Sequence, residues 1–350
     1  MRKEFDNELT TEQREKMRKN LVYIGIFSVV MLFAGLTSAY IVSMGDSYWV
    51  KFDFPTPFWI STALIILSSI VLQVAIARGK KKDTKAVKIL VTLTFILGCG
   101  FAVYQLKGYQ ALFDKGAHAV SDIIVYEGRY GDYYQLKIGD KYMDVDGNDY
   151  LVAGKVINEA EKTAISQFAS QFVNVEKKMP ANFNGLDKYT LLYKNEVVSR
   201  KNGKLYVSDT VELKYVDLSR LSKFAVHLKD GRGDFFIHGK LGKDFHLYYK
   251  GQELQYKNRT IFHKGRKLSA PMQLKLNSAF DAGTAYLFFI TFLHLLHVLV
   301  TLIYMLRMTI RSFRGTIDAN NYISLRMGAI FWHFLGLLWL YLLLFLLFIH

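Results

Sequence analysis

The chain has 350 residues, 51% of them hydrophobic, and a formal net charge of +15. A positive balance of that size suits nucleic acid or an anionic membrane surface. Here the apolar residues gather in long runs and leave no groove-reading element, so no nucleic-acid partner is expected. A single cysteine, Cys99, rules out an internal disulfide.

Crossing a roughly 30 Å hydrocarbon core takes about 20 helical residues. Five apolar runs are of that order: Leu21 to Ser43, Phe58 to Ala77, Ile89 to Leu106, Ala282 to Leu306 and Met327 to Ile349. The sequence therefore predicts an all-α polytopic membrane protein with an inserted, mostly β (α+β) soluble domain. Residues 1–20 form a charged tail, 21–111 hold the first three spans, 112–277 the insertion, and 278–350 the last two spans. The tail is charge-rich and the first run is long for a signal-peptide core, so that run is expected to act as a retained anchor.

Lys and Arg collect on the cytoplasmic side of short loops. The tail carries Arg2, Lys3, Arg14, Lys16, Arg18 and Lys19, and the second loop Arg78, Lys80, Lys81, Lys82 and Lys85. The last loop carries Arg307, Arg311, Arg314 and Arg326, whereas the first, Met44 to Pro57, has only Lys51. This predicts N-terminus in and C-terminus out, in a bacterial inner (cytoplasmic) membrane with the insertion in the periplasm. Arg78, Lys80, Lys81 and Lys82 are also candidates for lipid headgroups.

Within the insertion, short runs rich in Tyr, Val, Phe and Ile alternate with Gly, Asn and Asp. Asn202-Gly203 lies between two β-rich runs and predicts a type I′ hairpin. Lys250-Gly251 and Lys264-Gly265 suggest further turns. A helix is expected over Asn158 to Phe172, where Ala160, Ile165, Phe168, Ala169 and Phe172 recur at helical spacing. The segment Asp144 to Leu151, DVDGNDYL, lacks a glycine at the sixth position and the closing glutamate of a calcium loop, and reads as a turn between strands. His118, His227, His238, His246 and His263 are too scattered for a zinc signature. No catalytic motif is present.

None of the five runs has Asp, Glu, Lys or Arg in its interior, so the chain carries no evident proton path of its own. The last two runs do carry polar groups. FFITFLHLLHVLV, Phe288 to Val300, holds His294 and His297, and FWHFLGLLWLYL, Phe331 to Leu342, holds Trp332, His333 and Trp339. Intramembrane histidines ligate haem, relay protons or bond a neighbouring helix. His294 and His297 share a helix face and cannot be opposite ligands of one haem; His333 with either of them is the haem alternative.

These segments resemble the two C-terminal helices of subunit III of the haem-copper (cytochrome c type) oxidases. The family's T-G-F-H-G-L-H-V matches Thr291 to Val298, and its W-H-F-V-D-x-V-W-L-F matches Trp332 to Tyr341. Ser61 to Ser69, STALIILSS, is similar to the family's N-T-x-x-L-L-x-S-S. Gln105 and Tyr109 fall at Q-x-x-E-Y, and the basic loop around Arg78 falls at G-x-R-K. Three family carboxylates are replaced, by Val29, Gly108 and Gly336, and the family's first two helices have no counterpart.

The resemblance implies a short, five-helix subunit III with no cofactor, metal or catalytic residue of its own. Haem a and copper would sit on partner subunits; structural phospholipid is also implied, although without the family's first two helices its lipid cleft would lack one wall. His294, His297, Thr291, Trp332, His333, Trp339 and Gln105 would be helix-packing residues of the family motif. The partners implied are oxidase subunit I and the other oxidase subunits. A cytochrome c or a quinol-oxidising complex is the candidate partner of the insertion. The alternative is a haem-binding membrane cytochrome or quinol-oxidising subunit.

Overall fold

The computed structural model describes residues 11–81, 83–117, 133–277, 279–314 and 322–349. It divides into two compact units. One comprises Met1–Ser43, Phe54–Phe113 and Gly283–His350; the other comprises Met44–Asp53 and Asp114–Ala282.

The first unit is helical. α1 spans Thr11–Met44, α2 Thr56–Lys80 and α3 Thr84–Asp114. After the inserted unit come α7, Ala282–Phe313, and α8, Tyr322–Phe348. All five are long and apolar enough to cross a bilayer. Each helix extends past at least one end of its apolar run, because backbone pairing continues into the polar flanks.

Local signals set the ends of these helices. Pro55 and Pro57 flank the start of α2, where a missing N–H costs nothing. Arg78 and Lys80 occupy its last turn, where cations complement the helix dipole. Asp83 accepts from the Ala86 N–H at 3.1 Å at the start of α3.

The second unit is a tandem repeat. β2 (Tyr134–Ile138), β3 (Lys141–Asp146), β4 (Asp149–Val152) and β5 (Lys155–Val156) form a meander that leads into α4, Glu159–Ser170. β6 (Tyr189–Tyr193), β7 (Glu196–Lys201), β8 (Lys204–Val207) and β9 (Val211–Glu212) repeat it and lead into α5, Tyr215–Lys229.

A third copy runs from β10 (Phe245–Tyr249) through β11 (Gln252–Glu253), β12 (Gln255–Lys257), β13 (Thr260–His263) and β14 (Arg266–Lys267) to α6, Ala270–Asn277. In the first two copies strands of five, six and four residues are separated by two-residue turns. The third keeps that spacing, with its middle strand interrupted at Leu254. The repetition extends to single hydrogen bonds. The N–H groups of Ile157, Leu213 and Leu268 each reach back 2.9 Å to the carbonyls of Tyr150, Leu205 and Ile261.

The turns explain why the strands return so tightly. Asn202-Gly203, with φ of 49° and 75°, has positive φ at both positions, as a type I′ hairpin demands. Lys250-Gly251 and Lys264-Gly265 follow the same pattern, so all three expected turns are present. DVDGNDYL is also a turn, joining β3 to β4. The expected helix is α4, shorter by two residues at its C-terminal end. Asn158 caps it, accepting from the Glu161 N–H at 2.8 Å, while Glu161 Oε2 accepts from the Asn158 N–H at 3.2 Å.

The first two copies join through their opening strands into an eight-stranded antiparallel sheet, ordered β5-β4-β3-β2-β6-β7-β8-β9. The β2–β6 ladder is centred on Leu136 opposite Leu191. Tyr134, Leu136, Met143, Val145 and Tyr150 from the first copy share a core with Leu191, Leu205 and Val207 from the second. Ile165 and Phe168 of α4 and Leu221 and Phe224 of α5 cover it.

The third copy pairs differently. Its opening strand β10 takes β1, Tyr48–Phe52, as its antiparallel neighbour, with Val50 opposite Leu247. β1 thus stands where another repeat would place its first strand. The sequence had offered Met44 to Pro57 only as a short loop.

Candidate functional site

Four of the residues singled out in the spans, Gln105, His294, Trp332 and Trp339, make hydrogen bonds between helices. α2 supplies three hydroxyls, and each gives its proton to its own helix. Ser61 Oγ donates to the Phe58 carbonyl at 2.8 Å, Thr62 Oγ1 to the same carbonyl at 2.7 Å, and Ser68 Oγ to Ile65 at 2.8 Å. That leaves each oxygen as an acceptor facing its neighbours.

Gln105 Nε2 of α3 donates to Ser61 at 3.0 Å. From α8, Trp339 Nε1 donates to Thr62 at 2.8 Å and Trp332 Nε1 to Ser68 at 3.0 Å. Gln105, Trp332, Trp339, Ser61 and Ser68 are fully buried. A buried indole or amide without a partner costs more than one in water, so these pairs fix the helices in rotation as well as distance.

α7 joins through His294. Its Nε2–H donates to the Leu335 carbonyl of α8 at 3.0 Å, and its ring lies 5.9 Å from Phe101 and 5.4 Å from Trp339. Thr291, one turn earlier, is also buried and bonds back to the Leu287 carbonyl at 2.7 Å. His297 differs. Its Nδ1–H donates to the Leu293 carbonyl of its own helix at 2.7 Å, and its ring packs edge-on to Phe33 of α1 at 5.9 Å. Residues three apart differ by about 60° around a helix, so the two histidines address different neighbours although they share a face broadly. His333 is half-buried, and its Nε2 has no hydrogen-bond partner among the described residues.

Two glycines allow the close approach. A Cβ on Gly98 would lie 2.7 Å from the Trp332 ring, and one on Gly108 would lie 2.7 Å from the Phe58 ring. The space beside Gly108 is thus filled by the Phe58 ring. Nothing in the sequence signals these contacts, because the obstacle belongs to another helix. Of the headgroup candidates, Arg78, Lys80 and Lys81 are exposed at the end of α2, and Lys82 lies outside the described residues.

The second unit holds a polar centre that sequence reasoning missed. Asp234 is fully buried and accepts from Arg259 Nη2 at 2.8 Å and from the Tyr256 hydroxyl. Burial pushes its carboxyl up to about 6, against the pull of Arg259. Nearby, Asn148 Oδ1 accepts from the Gly233 N–H at 2.6 Å, and Asn148 Nδ2 donates to the Ile237 carbonyl at 2.6 Å. The β3–β4 turn and the β12–β13 turn, equivalent in the repeat, therefore grip one linker between α5 and β10.

His227 is buried beside Phe236 and is held down to about 4 by desolvation and by Arg232 and Lys223. Among the described residues no three His, Cys, Asp or Glu side chains cluster as metal ligands. His118 lies outside the described residues.

Fold and site together define a multi-pass membrane protein with an inserted antiparallel repeat domain. The chain matches no protein-family model, no curated protein and no solved structure.

Proposed function

We propose that this chain is a non-catalytic, cofactor-free subunit III of a respiratory terminal oxidase of the cytochrome c oxidase type. It packs against the catalytic subunit I in a bacterial inner membrane, N-terminus inside, C-terminus outside and insertion in the periplasm. Its work is structural: flanking subunit I, ordering lipid near Arg78, Lys80, Lys81 and Lys82, and supporting proton uptake by its partner. The insertion docks an electron donor or a neighbouring complex.

The observation that carries this reading is the convergence of motif residues. Ser61, Gln105, His294, Trp332 and Trp339 are among the positions on which the resemblance rests, and they bond to one another's helices, whereas Thr291 and His297 bond within their own. A likeness due only to aromatic composition has no reason to select the residues of one hydrogen-bond set. Purification of the tagged chain from native membranes in mild detergent tests it. Mass spectrometry is expected to find oxidase subunit I in equal amount; recovery without any oxidase subunit overturns the reading.

A further inference from the structure

We propose that a cavity in the first repeat is a receptor for a tyrosine side chain of a partner polypeptide, with Glu161 accepting its phenol proton. The inference concerns the repeat domain alone and stands whether or not the chain is an oxidase subunit.

The cavity measures about 290 Å³ and is lined by Ile138, Val152, Ile157 and Tyr189, with Lys155, Lys188 and Glu161 at its mouth. That is the small end of the range for ligand sites, room for one ring and its surroundings. The other two repeats reveal what this space is built to hold. Ile138 is the last residue of its repeat's opening strand, and the equivalent residues are Tyr193 and Tyr249.

Tyr193 is buried and donates its hydroxyl to Asp217 Oδ1 at 2.7 Å. Asp217 sits at the third position of α5, and its other oxygen accepts from the Lys214 N–H at 3.3 Å. Glu161 is the matching residue of α4. Its Oε2 is spent in the same way on the Asn158 N–H, and its Oε1 corresponds to the atom that Tyr193 reaches in the second repeat. Tyr249 fills the third site, stacked 4.6 Å from Tyr48 and 5.6 Å from His263, the counterpart of Val152. Two copies supply the ring from their own strand; the first copy has an isoleucine and an open cavity.

The occupant follows from this chemistry. The two internal examples are tyrosine side chains carried on a backbone, and the apolar walls with one carboxylate acceptor fit a phenol better than a benzyl group. The exposed ammonium groups of Lys155 and Lys188 favour acidic residues on either side of that tyrosine.

The test uses the full chain in nanodiscs and isothermal titration. The probes are acetyl-Asp-Tyr-Asp-amide, its phenylalanine counterpart and p-cresol. The tyrosine peptide is expected to bind about tenfold more tightly than the phenylalanine peptide, the scale of one hydrogen bond to a charged acceptor. Glu161→Gln should erase that preference. Ile138→Tyr should abolish peptide binding and raise the unfolding temperature of the domain by supplying the ring internally. No binding by the native chain, unchanged binding by Ile138→Tyr, or a destabilised Ile138→Tyr chain would each overturn the proposal. So would p-cresol binding as tightly as the peptide, since the site would then serve a small phenol.

Discussion

The hydroxyls of Ser61, Thr62 and Ser68 illustrate how little polarity a helix bundle needs to fix its geometry. Each satisfies its own helix first and offers a lone pair outward, so the indoles of Trp332 and Trp339 find acceptors at fixed heights. Trp339→Phe keeps an aromatic ring and removes the donor. A loss of about 0.6 kcal/mol, and at most about 2, is expected for an interhelical hydrogen bond in a membrane protein, measured by unfolding in mixed micelles.

Glycine provides a sharper contrast. Gly98→Ala drives a methyl into Trp332 and Leu302, whereas Gly25→Ala meets nothing within 4 Å. The first should lower the thermal midpoint by several degrees and the second should leave it unchanged. His294, Gln105, Trp332 and Trp339, and the segment Ser61 to Ser69, were legible in the sequence as residues of interest. Their pairing was not, because a partner on another helix leaves no mark on local spacing.

Titration of the repeat domain is also decided at single residues. Asp234 is raised to about 6 when folded, so its contribution is complete below the unfolded value near 4 and is lost as pH rises through 6. His227 is lowered to about 4, so its contribution is complete above 6.5 and is lost as pH falls toward 4. The slopes oppose one another across nearly the same window. Asp234→Asn should therefore make the domain's stability fall more steeply with acidification between pH 4 and 6.5 than it does in the native chain. Domain unfolding by denaturant at several pH values reads this directly; a variant profile no steeper than the native one would contradict it.

At the scale of elements, the hairpins announced themselves through their turns. Asn202-Gly203, Lys250-Gly251 and Lys264-Gly265 each mark a chain reversal, and Asn158 with Glu161 marks the start of α4. Asn158→Ala removes the capping box and should cost about 1 kcal/mol, with hydrogen exchange accelerated through the first turn of α4. Gly203→Ala, at a φ of 75°, should loosen the β7–β8 hairpin and leave the neighbouring turns unaffected.

Other elements were hidden. α5 carries Tyr215, Val216 and Asp217 in its first turn, with the tyrosine and valine exposed, so its amphipathic pattern emerges only further along. β1 is five residues beside a span, with Trp49 buried as well as Val50. A strand buried on both faces lacks the alternation that identifies one. The threefold repetition was encoded in the spacing of turns, while side chains at equivalent positions diverged, as Ile138, Tyr193 and Tyr249 did. Segments taken singly cannot disclose it.

For the molecule as a whole, hydropathy alone reached the division into a five-span membrane part and an inserted sheet domain, because a run of about 20 apolar residues has few other fates. What hydropathy left open was how the inserted unit gathers its chain: it takes in Met44–Asp53 from the first loop, and β1 completes the third repeat. The role proposed for this architecture is support beside a haem-bearing partner, with no haem of its own despite His294, His297 and His333.

One measurement addresses that claim most directly: the reduced-minus-oxidised absorption spectrum before and after the tagged chain is separated from its companions. The native complex should carry haem a, and the isolated, monodisperse chain should carry no haem band. A Soret band that persists on the isolated chain, or a native complex without haem a, would contradict the account.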